Sequence, residues 1–327
     1  MGCAAGGLTG NPYHLQQRVQ PVAETAPVFS MFDSADDPAI WISEDEPARS
    51  LIIGTDKRSG IYVYALDGSQ RQYLPLGNTN NVDLRSAPWG DDSLSVVAAS
   101  GRFPSELLLL SLDHASGRLQ FEKRYSVRLE EPYGICLYRD PMGRPFVFMN
   151  STDGQFAQYS VTPRFEISLV RRFTFDSQVE GCVVDDEAGF LYVAEEHRGI
   201  WRMRIAPGAD RRRELVDSVR GGHLVADIEG LALYHGPRKL LIASSQGDNS
   251  YAVYDADSFE HLLSFHVSGN ERVDGTSDTD GLEVTAAALP GFPDGMLVVQ
   301  DGDNTDPAAN QNFKIVSWTD VAALIGR

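Results

Sequence analysis

The chain has 327 residues, of which 42% are hydrophobic and 9% aromatic, so it carries enough apolar side chain to bury a large core. Its 46 acidic and 28 basic residues give a net charge of −18, whereas a general nucleic-acid-binding protein presents a basic surface. The longest apolar run lies near Leu107–Leu110, far below the roughly 18 residues of a transmembrane helix. An anionic substrate is compatible with this composition, provided that a cation mediates its binding.

The first 30 residues differ in composition from the remainder. They are rich in Gly, Ala, Pro and Gln and aperiodic, so we expect residues 1–30 to form a tail with little order of its own and residues 31–327 to form one domain. Met1–Gly7 has neither the basic nor the hydrophobic region of a signal peptide. Gly2 and Cys3 followed by small residues are nevertheless typical of the end of a bacterial lipoprotein signal, which would anchor the protein through Cys3. A low-complexity start or a cloning remnant is the alternative.

Cysteine is scarce in this chain. Three cysteines are too few for a disulfide framework at this length. One bridge could join Cys136 and Cys182, but free, buried thiols are the interpretation that we favour for these two residues.

Beyond residue 30 the sequence shows no convincing helical pattern. Short β-rich runs alternate instead with Gly, Asp, Asn and Pro, which are typical turn residues. In chain order, the predicted strands are Leu51–Gly54, Ile61–Leu66, Leu94–Ala99, Glu106–Leu112, Phe146–Met149, Phe190–Ala194, Leu240–Ala243, Tyr251–Tyr254 and Met296–Val299. This pattern is typical of an all-β sandwich, barrel or propeller.

An internal repeat distinguishes between these architectures. A polar or acidic residue, a small residue and an apolar strand recur six times, with anchors at Asp37, Asp83, Tyr133, Glu180, Glu229 and Asp280. Successive anchors are 46, 50, 47, 49 and 51 residues apart, and about 50 residues is the length of one four-stranded propeller blade. We therefore predict an all-β, six-bladed β-propeller with four-stranded blades around a central channel.

In a propeller, the innermost strands line the axis and the loops at their ends meet on one face. Residues about 50 apart therefore come together, and the repeated carboxylates are expected to form a ring. The alternative is that each acid caps a turn, which explains Asp67 and Asp113 well. It explains Glu180, Glu196 and Glu229 poorly, because Glu is too long for an Asx-turn.

A ring of carboxylates needs a counter-charge, because like charges repel and raise one another's pKa values. Oxygen donors without Cys or clustered His indicate Ca²⁺, with Mg²⁺ or Mn²⁺ as alternatives, and argue against zinc. Serine-hydrolase, Walker and cysteine-phosphatase motifs are absent from the sequence, so the simplest nucleophile for an enzyme is a water activated by metal. Lys57 and Arg102 lie at strand ends near the acids, where they suit phosphate binding, although for either residue taken alone a solvated surface charge is the interpretation that we favour.

Nine segments between residues 35 and 314 match a known family in order. They are Ala35–Trp41, Asn80–Arg85, Glu180–Glu187, Leu191–Glu196, Asp227–Leu231, Ala243–Gly247, Asp274–Gly281, Gln300–Gly302 and Asn310–Lys314. Through these segments the chain resembles the β-propeller phytases, the calcium-dependent alkaline phytases of bacteria. The resemblance implies a 3-phytase, a phosphomonoester hydrolase that removes phosphates from myo-inositol hexakisphosphate (phytate) by in-line attack of a water activated by Ca²⁺.

The resemblance also implies roles for individual residues. Several Ca²⁺ ions would serve catalysis, others would stabilise the fold, and a second subsite would hold a neighbouring phosphate. The implied calcium ligands are Asp36, Asp37, Glu180, Glu196, Asp227, Glu229, Gln246, Asp274 and Asp280, with Asp301 and Asn304 as candidates for a structural site. The implied phosphate contacts are Lys57, Arg102 and Tyr133, which with Glu180, Glu229 and Asp280 make up the expected catalytic set.

One position departs from the family pattern. Thr152 stands where the family often has Lys, so one positive phosphate contact is missing or comes from elsewhere. We expect a neutral-to-alkaline optimum, since Ca²⁺ is a weaker Lewis acid than Zn²⁺, and a location outside the bacterial cytoplasm: secreted, periplasmic or on the cell surface. Because closed propellers leave only short strand edges, we expect a monomer. The alternatives are a calcium-dependent propeller lactonase, which needs no phosphate-binding set, and a non-catalytic propeller scaffold.

Overall fold

The computed structural model describes residues 17–86, 94–206, 208–209 and 212–326. In these ranges the chain begins with two short strands, β1 (Arg18–Val19) and β2 (Pro21–Glu24). The next strands form blade 1, which consists of β3 (Ala35–Trp41), β4 (Leu51–Asp56), β5 (Gly60–Ala65) and β6 (Gln70–Leu74). Blade 2 consists of β7 (Thr79–Ser86), β8 (Leu94–Gly101), β9 (Glu106–Asp113) and β10 (Arg118–Ser126).

The remaining strands build four further sheets in the described part of the chain. Blade 3 consists of β11 (Pro132–Arg139), β12 (Pro145–Ser151), β13 (Gln155–Val161) and β14 (Ile167–Thr174). Blade 4 consists of β15 (Val179–Asp185), β16 (Phe190–Glu195), β17 (Gly199–Arg204) and β18 (Arg213–Ser218). Blade 5 consists of β19 (Ile228–His235), β20 (Lys239–Ser245), β21 (Ser250–Asp255) and β22 (His261–Val267). Blade 6 contains β23 (Leu282–Thr285), β24 (Met296–Asp301) and β25 (Asn312–Ser317).

The six sheets form a β-propeller, so the predicted fold class is confirmed. The innermost strands β3, β7, β11, β15, β19 and β23 line a central channel that holds a cavity of about 390 Å³. Clusters of buried side chains lie between neighbouring blades, for example Ile53 of blade 1 with Val97 and Leu110 of blade 2. All nine predicted strands are present, with only Leu66 falling beyond the end of its strand.

The N-terminal segment completes the last two blades. β2 pairs antiparallel with β25 as the outer strand of blade 6, and β1 pairs parallel with β22 as a fifth strand of blade 5. The expectation of little order up to residue 30 is therefore wrong for residues 18–24, because they satisfy backbone groups on two sheet edges. Residues 1–16 lie outside the described part, and so does the interpretation of Cys3 as a lipid attachment site.

Two short 3₁₀ turns, Pro47–Arg49 and Gln246–Asp248, and one helix, α1 (Trp318–Ile325), accompany the strands of the described residues. The absence of helix expected from the sequence is thus wrong at the C-terminus. Trp318 and Val321 are one helical turn apart and fully buried against blades 5 and 6. This burial explains why the short helix α1 is stable. No helix in the described ranges is long and apolar enough to span a membrane.

A disulfide joins blades 3 and 4. Cys136 on β11 and Cys182 on β15 are bonded, with their Cα atoms 5.8 Å apart, a usual separation for a disulfide. The expectation of two free thiols is wrong, because the two cysteines lie opposite each other on neighbouring inner strands.

Candidate active site

The inner strands share an irregularity at their first residues. In blades 1 to 5 the pairing register shifts between Ala35 and Pro38, Thr79 and Val82, Pro132 and Ile135, Val179 and Cys182, and Ile228 and Leu231. Such bulges redirect side chains and are frequent beside active sites. In blade 6, Asp280 and Gly281 stand just before β23. Each shift leaves two residues between the paired positions, and Asp280 and Gly281 are the corresponding two residues of blade 6. We call the first residue of each such pair, taken together, the mouth ring: Asp36, Asn80, Tyr133, Glu180, Glu229 and Asp280.

The second residue of the pair is glycine in four blades because the backbones of neighbouring blades touch there. A Cβ on Gly134 would lie 1.9 Å from the carbonyl oxygen of Glu180, and one on Gly181 would lie 2.0 Å from that of Glu229. No real side chain tolerates this approach, so glycine is required. The close contact brings the mouth-ring side chains of successive blades together.

The structure places the repeat anchors of blades 1 and 2 differently from the other four. Asp36 and Asn80 occupy the ring, whereas Asp37 and Asp83 line the channel cavity. The Asp37 carboxylate accepts the Val82 N–H at 3.0 Å, and the Asp83 carboxylate accepts the Leu137 N–H at 2.7 Å. Both acids therefore bond to the backbone of the next blade.

Three buried glutamates form the densest part of the site. Glu196 follows β16 and joins Glu180 and Glu229 so that one carboxylate oxygen of each lies within 4.8 Å of the other two. Asn80 Nδ2 donates to Glu180 Oε1 at 3.2 Å. Within the described chain, Glu196 Oε1 and Glu229 Oε2 are buried without a hydrogen-bond partner, an expensive arrangement unless a cation or a proton compensates the charge.

The pKa values of these acids reflect burial and crowding. Burial raises the pKa values of Glu180 and Glu229, and the charge of Glu180 adds to the effect at Glu229. Burial and the charge of Glu180 raise the pKa of Glu196 to about 8. Burial also raises the pKa of Asp280 to about 7 and that of Asp36 to about 6, although Lys57 opposes both increases. Without a bound cation, the ring therefore retains protons near neutral pH.

Lys57, just after β4, supplies positive charge inside this acidic site. Its ammonium lies 2.7 Å from Asp33, 2.7 Å from Asp280 and 3.1 Å from Asp36. Burial alone would lower the pKa of Lys57, but Asp36 and Asp280 outweigh burial and raise it. The lysine therefore stays charged over the whole physiological range.

Arg102 and Tyr133 form the second basic and polar part of the site. The Arg102 guanidinium lies over the Tyr133 ring, 4.8 Å from its centroid, donates to Asn80 Oδ1 at 3.3 Å and pairs with Glu131. The charge of Glu180, followed by burial, raises the pKa of Tyr133, so its hydroxyl stays protonated. Thr152 contacts the same Glu131 through its backbone N–H at 3.3 Å and its hydroxyl at 3.4 Å.

The other expected ligands close a cavity of about 340 Å³ at the channel mouth. Gln246 Nε2 donates to Asp280 Oδ1 at 2.7 Å, and its backbone N–H donates to the Asp227 carbonyl at 2.9 Å. The expected site residues that line this cavity are Lys57, Tyr133, Glu196, Asp227, Glu229, Gln246 and Asp280.

Asp274, Asp301 and Asn304 lie in a separate cluster. They surround the fully buried ammonium of Lys314, which pairs with Asp274, lies 3.1 Å from Asp301 Oδ2 and also contacts Glu24 at 2.6 Å. Burial raises the pKa of Asp301 to about 6 even with Lys314 beside it. The structure thus provides an internal cation for this cluster and separates Asp274 from the ring ligands with which the resemblance groups it.

Sequence reasoning missed several residues of the site. The sequence repeat places the anchor of blade 2 at Asp83, whereas the bulge of β7 in the structure places Asn80 in the ring. Asp33 and His197 do not belong to the sequence repeat. Asp33 contacts Lys57, and His197 contacts Asp227. Gln300 lies in a recurring polar slot, and its side chain accepts the Asp280 N–H at 2.8 Å.

The arrangement suits a hard divalent cation. Its donors are carboxylate and amide oxygens, and Glu196 Oε1 and Glu229 Oε2 are among the buried oxygen atoms that have no hydrogen-bond partner in the described residues. Such donors favour Ca²⁺, Mg²⁺ or Mn²⁺. The mouth ring can therefore hold metal, while Lys57, Arg102 and Tyr133 offer hydrogen bonds to an anion beside it.

Comparison with known proteins agrees with this geometry. The family model described as Phytase matches residues 9–327. The chain is 40% identical over 327 residues to the 3-phytase of Bacillus subtilis (strain 168), and the match covers 94% of this chain and 86% of the relative. The chain therefore belongs to the phytase family.

Proposed function

We propose that this protein removes phosphate from phytate, as the name 3-phytase implies for its Bacillus relative, and that it uses Ca²⁺ bound at the mouth ring. The observation that carries the proposal is the group of Glu180, Glu196 and Glu229, with carboxylate oxygens within 4.8 Å of one another beside two cationic side chains. Phytate is a polyanion and the chain has a net charge of −18. Coulomb repulsion would oppose their association without a bridging cation.

Calcium is the metal that the donor set favours over magnesium. Ca²⁺ accepts many protein oxygens in a flexible geometry, whereas Mg²⁺ keeps several waters and uses few carboxylates. Asp36, Glu180, Glu196, Glu229 and Asp280 would hold it, with Asp227 and Gln246 at the cavity wall. When bound there, Ca²⁺ would neutralise these carboxylates, compensate charge on the phosphate oxygens and make an attacking water more acidic.

The remaining tasks belong to the side chains of the chain. Asn80 and Glu131 orient the Arg102 guanidinium, whose fork of donors fits phosphate oxygens. The Tyr133 hydroxyl, kept protonated by its raised pKa, donates a hydrogen bond to a phosphate oxygen. Lys57 keeps a positive charge at the cavity wall and offsets negative charge that develops on the transferred phosphoryl group.

A calcium titration tests the proposal. Protein stripped with EDTA is mixed with phytate at about pH 7–8, Ca²⁺ is added stepwise, and released phosphate and inositol phosphates are measured. We expect release that appears with Ca²⁺ and disappears with chelator, because the single charge of Lys57 does not balance the carboxylates of the ring. Glu180→Gln should abolish release, whereas the matched control Glu46→Gln, at an exposed site, should retain it. No release at any Ca²⁺ concentration from protein with an intact circular dichroism spectrum would overturn the proposal, and lactone turnover would support a lactonase instead.

We also propose that the protein works outside the bacterial cytoplasm. The Cys136–Cys182 disulfide supports this, since structural disulfides persist in oxidising compartments and are rare in cytosolic proteins. Fractionation of the native host, followed by detection of the protein in each fraction, tests the location. Recovery only in the cytoplasm would contradict it.

A further inference from the structure

Large apolar side chains are exposed beside the channel mouth. In the described part of the chain, four of the five most exposed large hydrophobic side chains lie there, and we call them the apolar rim: Phe29 (81%), Met31 (61%), Phe32 (75%) and Phe103 (63%). The fifth, Met142, follows β11 at the end of blade 3 that faces away from the mouth. Exposed apolar side chains that are grouped in this way mark an interaction surface.

The apolar rim stands beside both cationic side chains of the site. Phe32 directly precedes Asp33, whose carboxylate lies 2.7 Å from the Lys57 ammonium. Phe32 and Asp33 line a cavity of about 330 Å³, and Asp33 also lines the mouth cavity. On blade 2, Phe103 directly follows Arg102, whose guanidinium lies 5.8 Å from the centre of the Phe103 ring. A ligand that fits both features carries phosphate and has an apolar surface next to it.

The backbone of residues 29–32 indicates which apolar surface this is. Five of its polar groups bond to side chains of the protein itself. These bonds join the N–H groups of Phe29 and Ser30 to Tyr62 and Asp56 (3.0 and 3.1 Å), and the carbonyls of Phe29, Ser30 and Phe32 to Asn310 (2.9 Å) and Ser34 (3.1 and 2.9 Å). Lipid demands such internal pairing, because it offers no hydrogen bonds to the backbone, whereas protein interfaces exchange hydrogen bonds with their partners.

A bilayer with phosphorylated headgroups satisfies all of these features. Apolar side chains that enter the interface of a bilayer bring its headgroups to Lys57 and Arg102. We propose that the apolar rim inserts into a lipid bilayer and that the site removes phosphate monoester groups from the headgroups of that bilayer. The removal of phosphate rests on the proposed function, whereas the insertion does not.

The reaction on such a lipid is the hydrolysis of a phosphate monoester. The headgroup of a phosphorylated inositol lipid resembles phytate, since both carry phosphate monoesters on an inositol ring. The oxygen of a water bonds to phosphorus, the bond from phosphorus to the headgroup oxygen breaks, and this oxygen receives a proton from the water. The products are inorganic phosphate and a lipid with a free hydroxyl group. The net charge of −18 opposes approach to anionic headgroups, so binding depends on the apolar rim.

Vesicle sedimentation tests the insertion. The full chain is mixed in the presence of Ca²⁺ with phosphatidylcholine vesicles that contain phosphatidylinositol monophosphate. We expect Phe29→Ser/Met31→Ser/Phe32→Asn to bind these vesicles at least ~10-fold more weakly than the wild type; Asn is chosen because Phe32 has a φ of 63°. The control Met142→Ser should bind like the wild type. No binding by the wild type, or equal binding by the triple variant, would overturn the proposal.

Phosphate release separates this inference from the proposed function. Both the wild type and the triple variant should release phosphate from soluble phytate, whereas the wild type should release it from the vesicles much faster than the triple variant. Release from phytate but not from vesicles that contain phosphatidylinositol monophosphate or phosphatidic acid would overturn the lipid activity and leave the proposed function intact. Binding to vesicles through the rim without release from phytate would support the insertion and count against the proposed function alone.

Two controls test other occupants of the apolar rim. Soluble p-nitrophenyl phosphate, hydrolysed without vesicles by the wild type but not by the triple variant, would assign the rim to an apolar leaving group. A dimer of the wild type in light scattering that the triple variant does not form would assign the rim to a second copy of the chain. Either result would overturn the proposal.

Discussion

Loss of the Cys136–Cys182 disulfide should destabilise the propeller substantially. The bridge closes a loop with a sequence separation of 46 residues. The chain-entropy model gives about 4 kcal/mol for a loop of this length. At about 2.1 cal/mol/K of unfolding entropy per residue, this free energy corresponds to a fall of about 6 °C in the melting temperature.

Two perturbations of a Cys3→Ser background measure this contribution. One is reduction of the bridge by dithiothreitol, which leaves both buried sulfur atoms in place. The other is the double variant Cys136→Ala/Cys182→Ala. Urea unfolding followed by fluorescence gives the free energy of unfolding of each form, and we expect both to lose about 4 kcal/mol relative to the oxidised protein.

A thiol count provides the refuting result. The Cys3→Ser protein, unfolded in guanidinium without reductant, should contain no free thiol, because Cys136 and Cys182 are bonded to each other. Two free thiols per chain would show that the bridge is absent. A bridge that is present but whose reduction leaves the urea midpoint unchanged would refute the entropic reasoning instead.

Four further predictions concern the channel, the site and the closure of the ring. Burial and the charge of Asp83 raise the pKa of Glu283 from 4.5 to about 8, so this group's contribution to stability is fully present below pH 4.5 and is lost as the pH rises through 8. Between pH 6 and 9 the free energy of unfolding should therefore fall by about 2–3 kcal/mol less in Glu283→Gln than in the wild type. Equal pH slopes of the two proteins in urea unfolding would contradict this. Lys57→Gln should lower kcat/KM for phytate about 100-fold, because three carboxylates lose their cation; a value near that of the wild type would exclude a role for this charge. Thr152→Lys should lower KM for phytate, since it places a second cation beside Glu131 and Arg102, and an unchanged or higher KM counts against a phosphate subsite there. Deletion of residues 1–24 should lower the melting temperature and cause aggregation by exposing two sheet edges, whereas deletion of residues 1–16 should do neither; equal behaviour of both truncated proteins would contradict the closure role of β1 and β2.

The architecture could be predicted because the repeat is recognisable from the types of its residues. A period near 50 and β-rich runs specify blades and their number, and they also place Tyr133, Glu180, Glu229 and Asp280 at equivalent positions. The positions in blades 1 and 2 could not be predicted in the same way. Asp36 and Asp37 are adjacent acids of the same type, and only the strand register shows which of them turns to the channel mouth.

The disulfide follows from the spacing of the repeat. Cys136 and Cys182 are 46 residues apart, almost one repeat, and each follows a ring residue on an inner strand. Residues one repeat apart lie opposite each other on neighbouring inner strands, so their separation itself predicts contact. By contrast, the contacts of His197 with Asp227 and of Lys314 with Asp301 join residues without repeat spacing, and only tertiary packing reveals them.

Strands β1 and β2 come first in the described chain, but their pairing partners β22 and β25 lie near its other end. Arg18 pairs with His266, and Glu24 pairs with Lys314, so ring closure joins residues that leave the ribosome at opposite ends of synthesis. Blades 1 to 4 are complete much earlier, because their strands are consecutive in the chain. Contacts of such long sequence separation are slow to form, and the open edges of blades 5 and 6 are exposed to other chains in the meantime. Closure of blade 6 is therefore a late step of folding, because β2 can pair only after β25 has been synthesised.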